Sequence, residues 1–142
     1  MELKKAKELL KSGDYTCVLC LGDEVITSRE RGIAPLIKML DCGAIKAGFS
    51  AADKAVGKAP ACVYALMGAR AVYANIITTP AIEIFERFGI AYEFETEVPM
   101  IRNRTDTDFC PVEKAVKDYS EPTEIIAAAR RKYEEMNKKT TP

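Results

Sequence analysis

The chain predicts an α/β fold in three layers, α/β/α, around a mixed sheet. Three features lead there. The stretch "YTCVLCLGDEVITS" (15–28) places two runs of strand-forming residues on either side of a Gly-Asp turn, the signature of a β-hairpin. The stretch "RAVYANIITTPAIEIFERFGIAYEFETEV" (70–98) alternates strand, helix and strand, the pattern of a parallel pair joined by a right-handed crossover. Amphipathic segments precede the hairpin and follow the last strand, so both faces of the sheet can be covered.

The first helix rests on Leu3, Ala6, Leu9 and Leu10, which recur at helical spacing with lysines on the other side, and Gly13 stops it. After the hairpin, Ile33, Leu36, Ile37 and Leu40 form one helical face, closed by "DCG". The segment "FSAADKAVGKAPACVYALMG" predicts a buried helix: Ser50 and Asp53 have capping-box spacing, and Val56, Ala59, Val63 and Leu66 follow one side. Pro60 then falls in the helix interior, where it should remove a backbone hydrogen bond and kink or split the helix.

"RAVYANIIT" reads as a buried strand, and "TPAIEIFERFG" as a short helix with Thr79 as cap, Pro80 first and Gly89 at the end. "IAYEFETEV" is a further strand. The run "PMIRNRTDTDF" has no periodicity and is dense in Asn, Thr, Asp and Arg, the composition of a functional loop. A short helix begins at Pro111, with Cys110 as N-cap and Glu113 at the third position. The last helix turns Ile125, Ala129, Tyr133 and Met136 inward.

With 142 residues, 48% of them apolar, the chain can bury one substantial core, and a single domain over residues 1–142 is expected. Lys plus Arg number 21, as do Asp plus Glu, which gives no electrostatic reason to expect nucleic acid or an anionic membrane as partner. No apolar run is long enough to span a bilayer, and the charged, leucine-spaced start is unlike a signal peptide, so a cytoplasmic location is expected. Five cysteines at irregular spacing argue for reduced thiols. Cys17 and Cys20 form a CxxC, but within a strand they point to opposite faces, and the chain has no histidine to complete a zinc site. They read as small buried hydrophobes, as do Cys42 and Cys62. "VGKAP" is not a phosphate loop, because Ala52 and Ala59 stand where the pattern needs Gly and Ser or Thr. No GxGxxG exists.

Three helix starts, Ser50 to Asp53, Thr78 to Pro80 and Cys110 to Glu113, would each offer unpaired N–H groups to an anion. At the last of them the cysteine faces the positive end of the helix dipole, which favours thiolate and makes Cys110 a candidate nucleophile.

The stretches "FSAADKAVGKA", "YALMGARAVYANIITTPAIEIFERFGI" and "IRNRTDTDFCPVE" resemble, over nearly the whole chain, a bacterial family of unknown function, domain-of-unknown-function family 1893, assigned to the cytidine-deaminase-like fold. Deaminases of that fold carry His-Ala-Glu at one helix start and Pro-Cys-x-x-Cys at the next. The resemblance lays these on Ala51, Ala52 and Asp53, and on Pro80 through Ile84, so no zinc ligand is kept. Zinc lowers the pKa of bound water from about 15.7 to about 7, which a lone aspartate cannot do. Neither a metal nor another cofactor is therefore expected, nor zinc-type deamination.

What the resemblance leaves is a pocket lined by Asp53, Lys54, Thr79 and the loop residues Asn103, Arg104 and Thr105, with Ser50 and Glu113 at its helix starts. The first expectation is a metal-free module that binds a nucleotide-like or other anionic small molecule. The second is an enzyme with Cys110 as nucleophile, activated by the helix N-terminus and by Lys54 or Arg104, with Asp53 as a further catalytic candidate. The third is a structural or interaction subunit with a vestigial pocket, whose exposed helices build a homo-oligomer.

Overall fold

A computed structural model describes residues 2–30, 32–102 and 110–140, with the side chains of the last helix as far as Met136. The elements run α1 (Glu2–Ser12), β1 (Cys17–Leu21), β2 (Glu24–Ser28), α2 (Ala34–Cys42), β3 (Ser50–Val56), α3 (Lys58–Met67), β4 (Ala71–Thr78), α4 (Thr79–Arg87), β5 (Ala91–Val98), α5 (Pro111–Val116) and α6 (Pro122–Thr140). The five strands lie in the order β2-β1-β3-β4-β5. β1 is antiparallel to both neighbours, whereas β3, β4 and β5 are mutually parallel. The sheet is mixed, as the sequence predicts.

The largest departure from expectation is β3. Ser50 through Val56 form a strand, not the first turns of a helix, so Ser50 and Asp53 make no capping box. Alanine and lysine favour helix when local preference decides. Here tertiary position decides: Ala51 and Ala52 are fully buried at the centre of the sheet, and their small side chains let helices approach on both faces. The helix begins at Lys58, after Gly57. Pro60 is consequently its third residue, where a missing N–H breaks no bond within the helix, and the expected kink has no cause.

Two buried clusters sit on opposite faces of the sheet. Cys17, Leu19, Ala51, Val72 and Ala74 pack with residues from α2 to α6. Val18, Cys20, Ala52 and Tyr73 pack with Ala6 and Leu10 of α1. Period-two alternation along β1 therefore separates Cys17 from Cys20 by the thickness of the sheet, as the strand reading of the CxxC requires. Cys62 is buried too, but Cys42, at the end of α2, is exposed, contrary to expectation. It occupies the last turn of a helix whose apolar face is carried by Leu36, Ile37 and Met39.

The expected cap of α4 moves by one residue. The Thr78 Oγ1 accepts the Ala81 N–H at 3.1 Å, so Thr78 is the N-cap and Pro80 the second helical residue. Thr79 is exposed, and its hydroxyl donates to Glu97 Oε2 at 2.9 Å.

Candidate functional site

A cleft of about 880 Å³ opens at the carboxyl end of β3. Its walls come from the start of β1 (Thr16, Cys17), the end of β2 (Arg29, Glu30), the entry to α2 (Ile33, Leu36), the first turn of α5 and the far end of α6 (Tyr133, Met136). Here the parallel half of the sheet meets antiparallel β1, with Asp53 directly opposite Cys17. In open α/β sheets such crevices beyond the carboxyl ends of strands, where the strand order reverses as it does between β1 and β3, are the usual ligand sites.

Of the residues expected from sequence, Asp53, Lys54, Cys110 and Glu113 all line this cleft. Ser50 does not: it is buried at the other end of β3, paired with Cys20 and Ala71. Nor does Thr79, which lies at the start of α4 and faces Glu97. Asn103, Arg104 and Thr105 fall outside the described residues. Arg29 lines the cleft without having been singled out; it follows the hairpin directly and its guanidinium lies over the Tyr15 ring, 4.6 Å from the centroid.

Asp53 is a strand carboxyl that is only 8% exposed. Its Oδ2 accepts the Tyr64 hydroxyl of α3 at 2.7 Å, and its Oδ1 accepts the Ala55 N–H at 3.2 Å. Burial pushes its pKa up to about 6, against the pull of those hydrogen bonds in the other direction. The same burial raises the Tyr64 hydroxyl and the Cys17 thiol, and the charge of Asp53 raises both further. Sequence reading found Asp53 but not Tyr64. An acid flanked by alanines in a buried strand is the signal that a buried hydrogen-bond donor must exist.

Glu113 is buried as well, and it does not complete a capping box on its own helix. The Cys110 N–H donates instead to Ile101 O at 2.7 Å. The Glu113 carboxylate reaches across to α3, where Oε1 accepts the Lys58 N–H at 2.8 Å and Oε2 the Ala59 N–H at 3.5 Å. Pro60 has no N–H, and the Ala61 N–H begins the internal ladder by donating to Gly57 O at 3.0 Å. The donors after Gly57 are thus accounted for by a cap from another element. In return the Lys58 ammonium donates to the carbonyl of Lys117, at the end of α5, at 3.1 Å. Burial raises the pKa of Glu113, while the two amides and the Lys58 charge oppose the rise.

Cys110 occupies the N-cap of α5 as expected, followed by Pro111, but its side chain makes no capping hydrogen bond. It is half-buried. With only six residues, α5 has a weak dipole to offer a thiolate. Among the described residues no three His, Cys, Asp or Glu side chains gather as a metal site.

A family described as "TM1506: Domain of unknown function (DUF1893)" matches residues 5–133. The chain belongs to this family. A solved member, the DUF1893 family protein TM1506 from Thermotoga maritima, has the same fold with a TM-score of 0.85 and 24% identity, over 92% of this chain and 89% of that one. Among curated proteins nothing matches. Within this DUF1893 chain the match spans every strand and the cleft lining from Asp14 to Tyr133, leaving only Met136 outside it. Among the described residues no helix is long and apolar enough to cross a membrane.

Proposed function

We propose that this DUF1893 protein is a metal-free, cytidine-deaminase-like domain that binds a nucleotide-like or other anionic small molecule in the β3 cleft. The observation that carries the reading is the convergence of Asp53, Lys54, Cys110 and Glu113 on one cavity of about 880 Å³ where the strand order reverses between β1 and β3. That volume suits a mononucleotide-sized ligand.

The cleft carries both signs of charge, and two of its cations can meet an anion. Four acids line it, Asp14, Glu30, Asp53 and Glu113, alongside Arg29, Lys54 and Arg102. Glu113 is engaged by the α3 amides, Asp53 by Tyr64 and Ala55, and Glu30 lies 3.9 Å from Lys38. Arg29 and Lys54 are the cations we assign to a phosphate or carboxylate.

The deaminase-like part of the reading is supported by the strand order, with β1 antiparallel to the other four strands, and by the helix that follows each of β3 and β4. The zinc of that fold does not fit this chain. Its motifs belong at helix starts, so Ala51, Ala52 and Asp53, being in a strand, are not the equivalent residues. The helix starts themselves read Gly57-Lys58-Ala59-Pro60 and Thr79-Pro80-Ala81-Ile82-Glu83, with neither thiolate nor imidazole. The one carboxylate at the first of them, Glu113, is occupied by amide donors.

Native mass spectrometry of the protein purified from its own host tests the reading. The expected result is a mass above that of the bare chain, released on denaturation and reduced in Lys54→Ala and Arg29→Ala. A bare chain, together with no thermal shift from a panel of nucleoside monophosphates, would overturn it. Cys110 lines the same cleft, which keeps the nucleophile reading testable in the same assay. A covalent adduct lost in Cys110→Ser would favour it, whereas a ligand retained by that variant favours binding alone.

A further inference from the structure

β5 closes the sheet on one side: it pairs with β4 and with no other strand among the described residues. None of its residues is buried, which is unusual for an eight-residue strand in a sheet of five. Its two faces differ. One carries an aromatic ladder, in which the fully buried Phe85 of α4 stacks on Tyr92 at 6.2 Å between centroids and Tyr92 on Phe94 at 6.4 Å. Phe94 and Ile76, on adjacent strands, are each 40% exposed at the end of this ladder. The other face carries Glu93 and Glu95, whose carboxylates lie 3.0 Å from Lys7 and 3.6 Å from Lys11 of α1.

Exposed edges are normally guarded by proline, lysine, a bulge or a covering element. β5 contains no proline or lysine, and its pairing with β4 keeps one register from Ala71–Ala91 to Thr78–Val98. Its glutamates would guard it, but α1 of the same chain answers two of them with lysines.

We propose that β5 pairs antiparallel with β5 of a second copy of this chain, about a two-fold axis perpendicular to the sheet, so that the two five-stranded sheets become one. A two-fold lays the patch on itself, which requires self-complementarity, and this rim has it. Each copy presents both signs of charge on the α1 face, so the Lys7 and Lys11 ammoniums of one copy approach the Glu93 and Glu95 carboxylates of the other. On the opposite face the exposed ends of the two aromatic ladders meet and cover each other. The backbone edge supplies the hydrogen bonds, and the side chains on the two faces fix the occupant.

Sedimentation equilibrium of the full chain reads this directly. The wild type is expected to be a dimer at micromolar concentration, and Phe94→Lys to weaken dimerisation at least about tenfold, which is about 1.4 kcal/mol. Leu66→Lys, at an equally exposed position on α3, should leave it unchanged. Circular dichroism verifies that each variant is folded, and hydrogen exchange of the β5 amides should slow as wild-type concentration rises. A wild type that stays monomeric at about 100 µM overturns the proposal. So does a dimer indifferent to Phe94→Lys, or β5 protection that appears only with a different protein bound.

Discussion

Gly57 and Glu113 occupy one another's space: a Cβ built on Gly57 would overlap the Glu113 carboxylate that caps α3. The backbone at Gly57 is extended, with φ −97° and ψ −170°, a conformation any residue adopts. Glycine is required there by the approach of a side chain from another helix, not by the fold of its own turn.

The contact predicts a coupled pair of substitutions. Gly57→Ala should destabilise by about 1–3 kcal/mol through overpacking, and Glu113→Ala by about 1–2 kcal/mol through loss of the cap. In the double variant the methyl group meets no carboxylate, so the two losses should fall short of their sum by about 1 kcal/mol or more. Urea denaturation of the four proteins measures it. Simple additivity would mean that the carboxylate is not where α3 needs it.

A second prediction separates two neighbouring threonines. Thr78→Ala removes the oxygen that accepts the Ala81 N–H in a fully buried setting, and should destabilise by about 1 kcal/mol. Thr79→Ala removes only an exposed bond to Glu97 and should lie within about 0.5 kcal/mol of wild type. Equal effects in thermal or urea unfolding would contradict the cap assignment.

Thiol labelling gives a third. Cys42 is exposed and Cys110 half-buried, whereas Cys17, Cys20 and Cys62 are buried. Burial also raises the thiol pKa of all three, that of Cys62 to about 12, which keeps them protonated at neutral pH. Iodoacetamide should therefore modify Cys42 and Cys110 in the native protein and reach the other three only on unfolding. The expectation from sequence that fails is the burial of Cys42, because the end of α2 turns it to solvent. Peptide mapping showing early modification at Cys17 or Cys20 would place β1 wrongly.

What the sequence made legible follows from how strongly each signal is local. The hairpin, α1, α2, β4, α4 and α6 carry clear periodicity or turn residues, and each was expected within a residue or two of its place. β3 was not, because its residues have helical preferences and its strand character comes from β1 and β4 pairing on either side. That one error moved everything attached to it: Ser50 lost its capping role, Pro60 its kink, and Asp53 its place at a helix start. Asp53 and Lys54 line the cleft all the same, from the middle of a central strand and not from a helix start. The α3–α5 connection was illegible for a different reason. Glu113 sits at the right spacing to cap its own helix, and nothing local says that it caps another one 55 residues away.

The last prediction concerns pH. Burial lifts the Asp53 carboxyl from its ordinary 3.8 to about 6, so between those values the folded protein holds a proton that the unfolded chain has released. Raising the pH through this window therefore removes stability: none is lost below about pH 4, and the full amount is lost above about pH 6. Roughly two pH units correspond to about 3 kcal/mol. Glu113, raised for the same reason, acts in the same direction. Asp53→Asn keeps an acceptor for Tyr64 but has no charge to bury, so its stability relative to wild type should rise by up to about 3 kcal/mol between pH 4 and 7. Any constant loss from the imperfect Ala55 contact cancels, because only the slope is read. Urea midpoints at pH 4.5, 6 and 7.5 for both proteins supply that slope, and the part that remains in the variant belongs to Glu113 and the exposed groups. Parallel profiles would show that Asp53 is ionised without penalty, with water or a cation reaching it from the cleft.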